Sequence, residues 1–246
     1  MGWGSSLDDK ILENRANFLS YLRQRIYRMQ ADSAVLFAAL FTGIKDNPKG
    51  ELFTSLRKAG ASHILALSGM HLGIISFGVM FAFTSVFGRR LSFFITLIFI
   101  ILYVFLVSTG SSLTRAAILF TLLGFFTLSG VRTDIFHVLV LCFVIQLTVN
   151  PGSAYELSFQ LSYLALGGII LGSETISILL PGIIPPKIRG VLAASLSAQF
   201  FTAPLVLSSF GVIYPVGIIS GIILVPVITL FIWLGIIGMI PLPWVI

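Results

Sequence analysis

Residues 61–87 read ASHILALSGMHLGIISFGVMFAFTSVF, a run with no Asp, Glu, Lys or Arg. A bilayer crossing needs about 20 consecutive apolar residues, so this stretch is read as a transmembrane helix. Its first half, His63 to Gly73 (HILALSGMHLG), sets two histidines, a serine and two glycines at membrane depth. Polar and ionisable groups are costly there, and they turn toward a protein interior or an aqueous path.

The rest of the chain has the same character. Apolar residues make up 57% of it, charged residues 10%, and the mean hydropathy is +1.05. A soluble domain carries about 25% charged residues, so the composition excludes an ordinary soluble fold. The expected class is all-α: a polytopic transmembrane bundle of about seven spans, range six to eight, preceded by amphipathic interfacial helices. The first thirty residues are charged and lack an apolar h-region, so the first spans are expected to serve as insertion signals. The single cysteine, Cys142, excludes an internal disulfide. It reads as a small hydrophobe.

Two regions follow from the charge distribution. Residues 1–60 hold nine of the fifteen basic residues, including Lys10, Arg15, Arg23, Arg25 and Arg28, and form a basic, interfacial region. Such a patch attracts anionic lipid or nucleic acid. Residues 61–246 form the membrane domain. Within 1–60, residues 7–29 read as an amphipathic helix, with Leu7, Ile11, Phe18, Leu22 and Ile26 on one stripe. Residues 31–43 are apolar but too short to span, and are expected to be interfacial or re-entrant. A further short amphipathic helix is expected over 51–60.

The expected spans are 61–87, 91–109, 113–130, 134–149, 157–172 and 190–210. A last region over 212–246 contains Pro215, Pro226, Pro241 and Pro243, and reads as one broken helix or two short ones. Basic residues fall in alternate turns: Arg89 with Arg90, Arg132, and Lys187 with Arg189. By the positive-inside rule these turns are cytoplasmic. That places the basic N-terminal region outside, against the simplest charge count.

Under this topology the polar residues gather in one outer half. On the first span, at 100° per residue, His63, Ser68 and His71 share one side, and Gly69 and Gly73 form a small-xxx-small pair on the other. Arg115, beginning the third span, reads either as a rim anchor paired with Glu156 or as a phosphate contact, since guanidinium matches phosphate geometry. The fifth span carries Ser158, Gln160 and Ser162; the sixth carries the stripe Ser195, Gln199 and Thr202. Interhelical hydrogen bonding is the plain alternative for these. His137 lies at the inner end of the fourth span, so the three histidines make a poor metal site. No catalytic group, metal or cofactor is expected.

Five blocks, in order, carry a resemblance. They are ALFTG (39–43), AGASHILALSGMHLG (59–73), STGSSLTRAA (108–117), SFQLSYLA (158–165) and SAQFFTAPLVLSSFG (197–211). Together they resemble the ComEC-type competence proteins of bacteria. The family's closing Asn-Leu-Leu-x-x-Pro block reads SGIILVP (220–226) here, a departure at Ser220-Gly221. Longer members add a soluble N-terminal domain and a metallo-β-lactamase-like domain, and no His-x-His-x-Asp-His motif occurs in this chain.

The resemblance implies a multi-pass plasma-membrane channel or permease that passes single-stranded DNA into the cytoplasm during natural transformation. It implies partners too: single-stranded DNA, membrane lipid, and other competence proteins supplying the missing soluble domains and the motor. Tyr103, Tyr155, Tyr163 and Tyr214 are candidate stacking surfaces for such a strand. A small-molecule transporter or non-catalytic membrane scaffold is the alternative reading. An intramembrane serine hydrolase built on Ser68 is a weaker one, because Ala66-Leu67-Ser68-Gly69 is not Gly-x-Ser-Gly and Ser68 shares its helix turn with His71.

Overall fold

The structure is a computed structural model, and it describes residues 13–22, 24, 26, 31–43, 54–55, 69–107, 110–212 and 216–239. Its main elements are all helical. They are α1 (Ala31–Thr42), α2 (Gly69–Val107), α3 (Ser111–Leu128), α4 (Ile135–Val149), α5 (Leu157–Leu179), α6 (Pro186–Phe210) and α7 (Val216–Met239). A short 3₁₀ turn, Pro151–Tyr155, links α4 to α5.

Helix α2 has two arms. Gly88 interrupts it at φ 70°, ψ 168°, a conformation nearly closed to residues with a Cβ. Each arm has about 19 residues, or roughly 28 Å at the helical rise, close to the thickness of a hydrocarbon core. The Gly69 amide donates to Ser112 Oγ at 3.3 Å. Val107 lies just before Ser111 in the chain. Both ends of α2 therefore meet the start of α3, and the arms fold back on each other at Gly88. This is the expected break between the first two spans.

The other helices follow the same up-and-down course. Gln146, near the end of α4, bonds the start of α3. A Cβ on Gly168 would meet Phe201, and one on Gly172 would meet Ser197, so α5 and α6 run antiparallel in close contact. Helix α5 continues to Leu179, past the expected end at 172, because nothing in Gly172-Ser173-Glu174-Thr175 breaks a helix before Pro181. Helix α6 starts at Pro186, earlier than expected, because proline fits the first helical turn. The last region is one helix over Val216–Met239, with Pro226 inside it.

Chain direction sorts the turns into two ends. One end holds Arg89, Arg90, Arg132, Lys187 and Arg189; the other holds the starts of α3 and α5 and the residues around 211. Arg15 of the N-terminal helical residues belongs to the second end. Its Nε and Nη2 donate to Leu106 O (3.0 Å) and Val107 O (3.3 Å), the free carbonyls closing α2. The short helix α1 does not lie on a surface. Ala34, Phe37, Ala38, Ala39 and Leu40 are all buried, and α1 packs between α2 and α7. It is apolar nearly all round, which suits a core position. The main core joins Leu40, Leu72, Ile75, Ile100, Leu113 and Ile232. Phe77, Phe81, Ile98, Ile101 and Phe105 point outward, as lipid-facing residues do.

Candidate functional site

The polar network forms where α3, α4 and α5 meet at the end away from the basic turns. Ser111 O, at the start of α3, accepts from Gln146 Nε2 at 2.9 Å. Gln146 Oε1 accepts from Tyr163 Oη of α5, also at 2.9 Å. Tyr163 Oη lies 3.3 Å from Cys142 Sγ, and that thiol donates to Arg115 O at 3.7 Å. Ser111 Oγ and Ser158 Oγ are 2.6 Å apart. One amide, two hydroxyls, a phenol and a thiol thus tie three helices together. In lipid no water replaces such bonds, so they are made within the protein.

Arg115 sits at the centre and is only 7% exposed. Helical side chains lean toward their helix N-terminus; accordingly Arg115 Nη2 donates to Ser112 Oγ at 3.2 Å. Its Cζ stands 5.6 Å from the centre of the Tyr163 ring. Nε and Nη1 are buried and have no hydrogen-bond partner among the described residues. The expected rim pairing with Glu156 is not present. Glu156 instead accepts from Ser158 Oγ at 3.4 Å. The physical reason is placement: Arg115 is a full turn inside α3, on the face turned to α4 and α5.

The sequence-predicted residues are distributed unevenly around this centre. Ser158 joins the network through Ser111. Gln160 turns aside, donating to Ala154 O of the 3₁₀ turn at 2.8 Å. Ser162 is half-buried on α5. On α6, Ser195 and Gln199 are half-buried, and Thr202 Oγ1 bonds back to Ala198 O and Gln199 O; no bond joins this stripe to Arg115 among the described residues. His71 is fully buried beside Leu72 in the first arm of α2. His63, Ser68 and Tyr214 lie outside the described residues. Tyr155 is 90% exposed, whereas Tyr103 is buried and donates to Phe41 O at 2.5 Å.

The glycine pair divides. A Cβ on Gly69 would lie 3.0 Å from Ala116 Cβ, 3.3 Å from Ser112 O and 3.4 Å from Arg115 Nη2. Gly73 is exposed and faces open space among the described residues. Of this pair, only Gly69 marks a close approach of α2 to α3. Gly73 is one turn further on, where the arm presents it outward.

Ser111, Ser112, Cys142 and Gln146 belong to the centre although none was a candidate site residue; Ser111 and Ser112 lie within the block STGSSLTRAA. Gln146 carried a signal: it is the one amide within IFHVLVLCFVIQLTV. Cys142 carried none, since its thiol is polar only by virtue of its neighbours. His137 stands apart, exposed and 3.8 Å from Asp134. Among the described residues no three His, Cys, Asp or Glu lie close enough to hold a metal ion.

A model of the competence-protein family matches residues 40–246, which include every helix of this centre. The chain belongs to the competence-protein family. It is similar to ComE operon protein 3 of Bacillus subtilis (strain 168), at 26% identity over 221 residues. That match covers 89% of this chain and 27% of the relative, so the chain spans about a quarter of the relative's length. No solved structure matches. Competence-family membership and four long apolar helices together make this an all-α membrane protein of the competence system. The Arg115 centre lies inside its matched region.

Proposed function

We propose that this chain is the membrane core of a DNA-uptake channel, passing single-stranded DNA across the bacterial plasma membrane into the cytoplasm during natural transformation. It crosses the membrane several times and carries out no chemistry. Other competence proteins, a motor among them, work with it. The observation that supports this is Arg115: a cation one turn inside α3, 7% exposed, with two guanidinium nitrogens, Nε and Nη1, unpartnered among the described residues. Burying an unpaired charge costs several kcal/mol (roughly), and such residues in membranes mark ion and substrate paths. Phosphate matches the planar guanidinium fork. The Ser111, Ser112 and Ser158 hydroxyls and the Tyr163 ring beside it offer the polar lining and stacking surface that a strand requires.

The test is single-stranded oligonucleotide binding to the detergent-solubilised chain at several salt concentrations. Arg115→Ala should flatten the slope of log affinity against log salt by about 0.7, one phosphate's share. Arg115→Lys keeps the charge and should keep the slope while weakening affinity. Parallel slopes for wild type and both variants would make Arg115 a structural residue and remove the electrostatic support for the channel reading.

A further inference from the structure

At the opposite end of the bundle a cleft of about 200 Å³ opens between the α2 hairpin and α3. Arg89 stands at its mouth, next to Arg90 and immediately after the Gly88 turn; both arginines are exposed. Thr127 lies level with them at the end of α3, and its hydroxyl is turned back to Leu123 O at 2.6 Å, so it offers no donor to the cleft. Deeper in, the walls are Met80, Phe93, Phe120 and Leu123. Phe93 is stacked on Phe120 with ring centres 5.6 Å apart, and it lies over Gly124, where any Cβ would strike its ring. Met80 is nine residues before Arg89, so the cleft reaches roughly 13 Å from the helix ends into the apolar layer.

We propose that this cleft is a binding site for one anionic phospholipid. Its phosphate meets Arg89 at the mouth, and an acyl chain lies along Phe93, Phe120 and Leu123. The cleft is amphipathic in the same sense and order as the lipid: cation at interfacial depth, rings and aliphatic groups below. Among the described residues the charged groups at the mouth are Arg89, which lines the cleft, and Arg90 beside it. Charge complementarity therefore selects an anionic over a zwitterionic headgroup. The site is distinct from the Arg115 centre, which lies at the other end of α3.

Native mass spectrometry of the detergent-purified chain, with phosphatidylglycerol or phosphatidylcholine added, tests this. The expected result is one phosphatidylglycerol retained in preference to phosphatidylcholine. Arg89→Gln should lower that retention about fivefold, the share of one basic residue near the surface, and Arg89→Lys should largely preserve it. Leu123→Trp should fill the cleft and abolish retention with the charge unchanged. Arg132→Gln serves as a control and should have no effect. Equal retention of the two lipids, or retention unchanged in both Arg89→Gln and Leu123→Trp, would overturn the proposal. So would a single-stranded oligonucleotide whose binding is lost in Arg89→Gln while phosphatidylglycerol retention persists, since Arg89 would then serve nucleic acid. Each outcome is independent of the salt slope at Arg115.

Discussion

Replacing Gln146 by leucine isolates the interhelical bonds that tie α4 to its neighbours. Leucine has a similar volume and suits a helix, so the change removes polar partners with little change in packing. Two bonds are lost: Gln146 Nε2 to Ser111 O and Tyr163 Oη to Gln146 Oε1, both 2.9 Å. A side-chain hydrogen bond between membrane helices contributes about 0.6 kcal/mol on average, and at most about 1.7. The pair therefore contributes about 1–3 kcal/mol. Neither orphaned group is stranded. Ser111 O lies in the first turn of α3, within reach of the helix's own amides, and Tyr163 Oη keeps Cys142 Sγ at 3.3 Å. That argues for the lower half of the range. The assay is reversible denaturant unfolding in mixed micelles, run as a double-mutant cycle with Tyr163→Phe. The two single changes share one bond, so the double variant should be less destabilised than their sum by about 0.6 kcal/mol. Strict additivity, or a Gln146→Leu variant as stable as wild type, would refute the network.

Other outcomes follow from backbone and packing. Gly69→Leu should destabilise by about 1–3 kcal/mol, because its side chain would enter the contact with Ala116 and Ser112. Gly73→Leu should stay within about 0.5 kcal/mol, as an outward residue does; thermal unfolding in detergent separates the two. Gly88 and Gly211 both have φ 70°, but ψ is 168° at the first and −3° at the second. Asparagine tolerates the second region and not the first. Gly88→Asn should therefore cost about 1–3 kcal/mol, and Gly211→Asn clearly less, by the same measurement.

The limits of reading polar positions from spacing show clearly at three residues. Arg115 was recognisable as a cation at the start of a span, and its two readings, rim anchor or phosphate contact, turned on whether it faced Glu156. Helical phase along α3 does not decide that. The positions of α4 and α5 do, and they turn it under Tyr163. Gly69 and Gly73 share one helical face and differ in role, because α3 crosses the first arm of α2 at one level and has left it a turn later. Cys142 has the sequence character of a plain hydrophobe, yet its thiol bonds the backbone of Arg115. In each case the deciding partner is more than twenty residues away in the chain.

The sequence by itself determined the class of the molecule and the places where it turns. Long uncharged runs have no stable place in water, backbone groups in lipid must bond within their own helix, and charged turns stay at the surface; these are local consequences of composition and length. The paired basic turns at Arg89-Arg90, Arg132 and Lys187-Arg189, and the break at Gly88, are readable on the same grounds. Tertiary structure alone decided which faces of those helices meet. Lipid tails are as apolar as the helices, so apolar patterning does not distinguish a lipid face from a helix interface, and the choice falls to small residues, hydrogen bonds and shape. That is why α1 proved to be buried, why Arg115 turned inward to Tyr163, Cys142 and Ser112, and why the cleft beside Arg89 could be found only once α2 and α3 were in place.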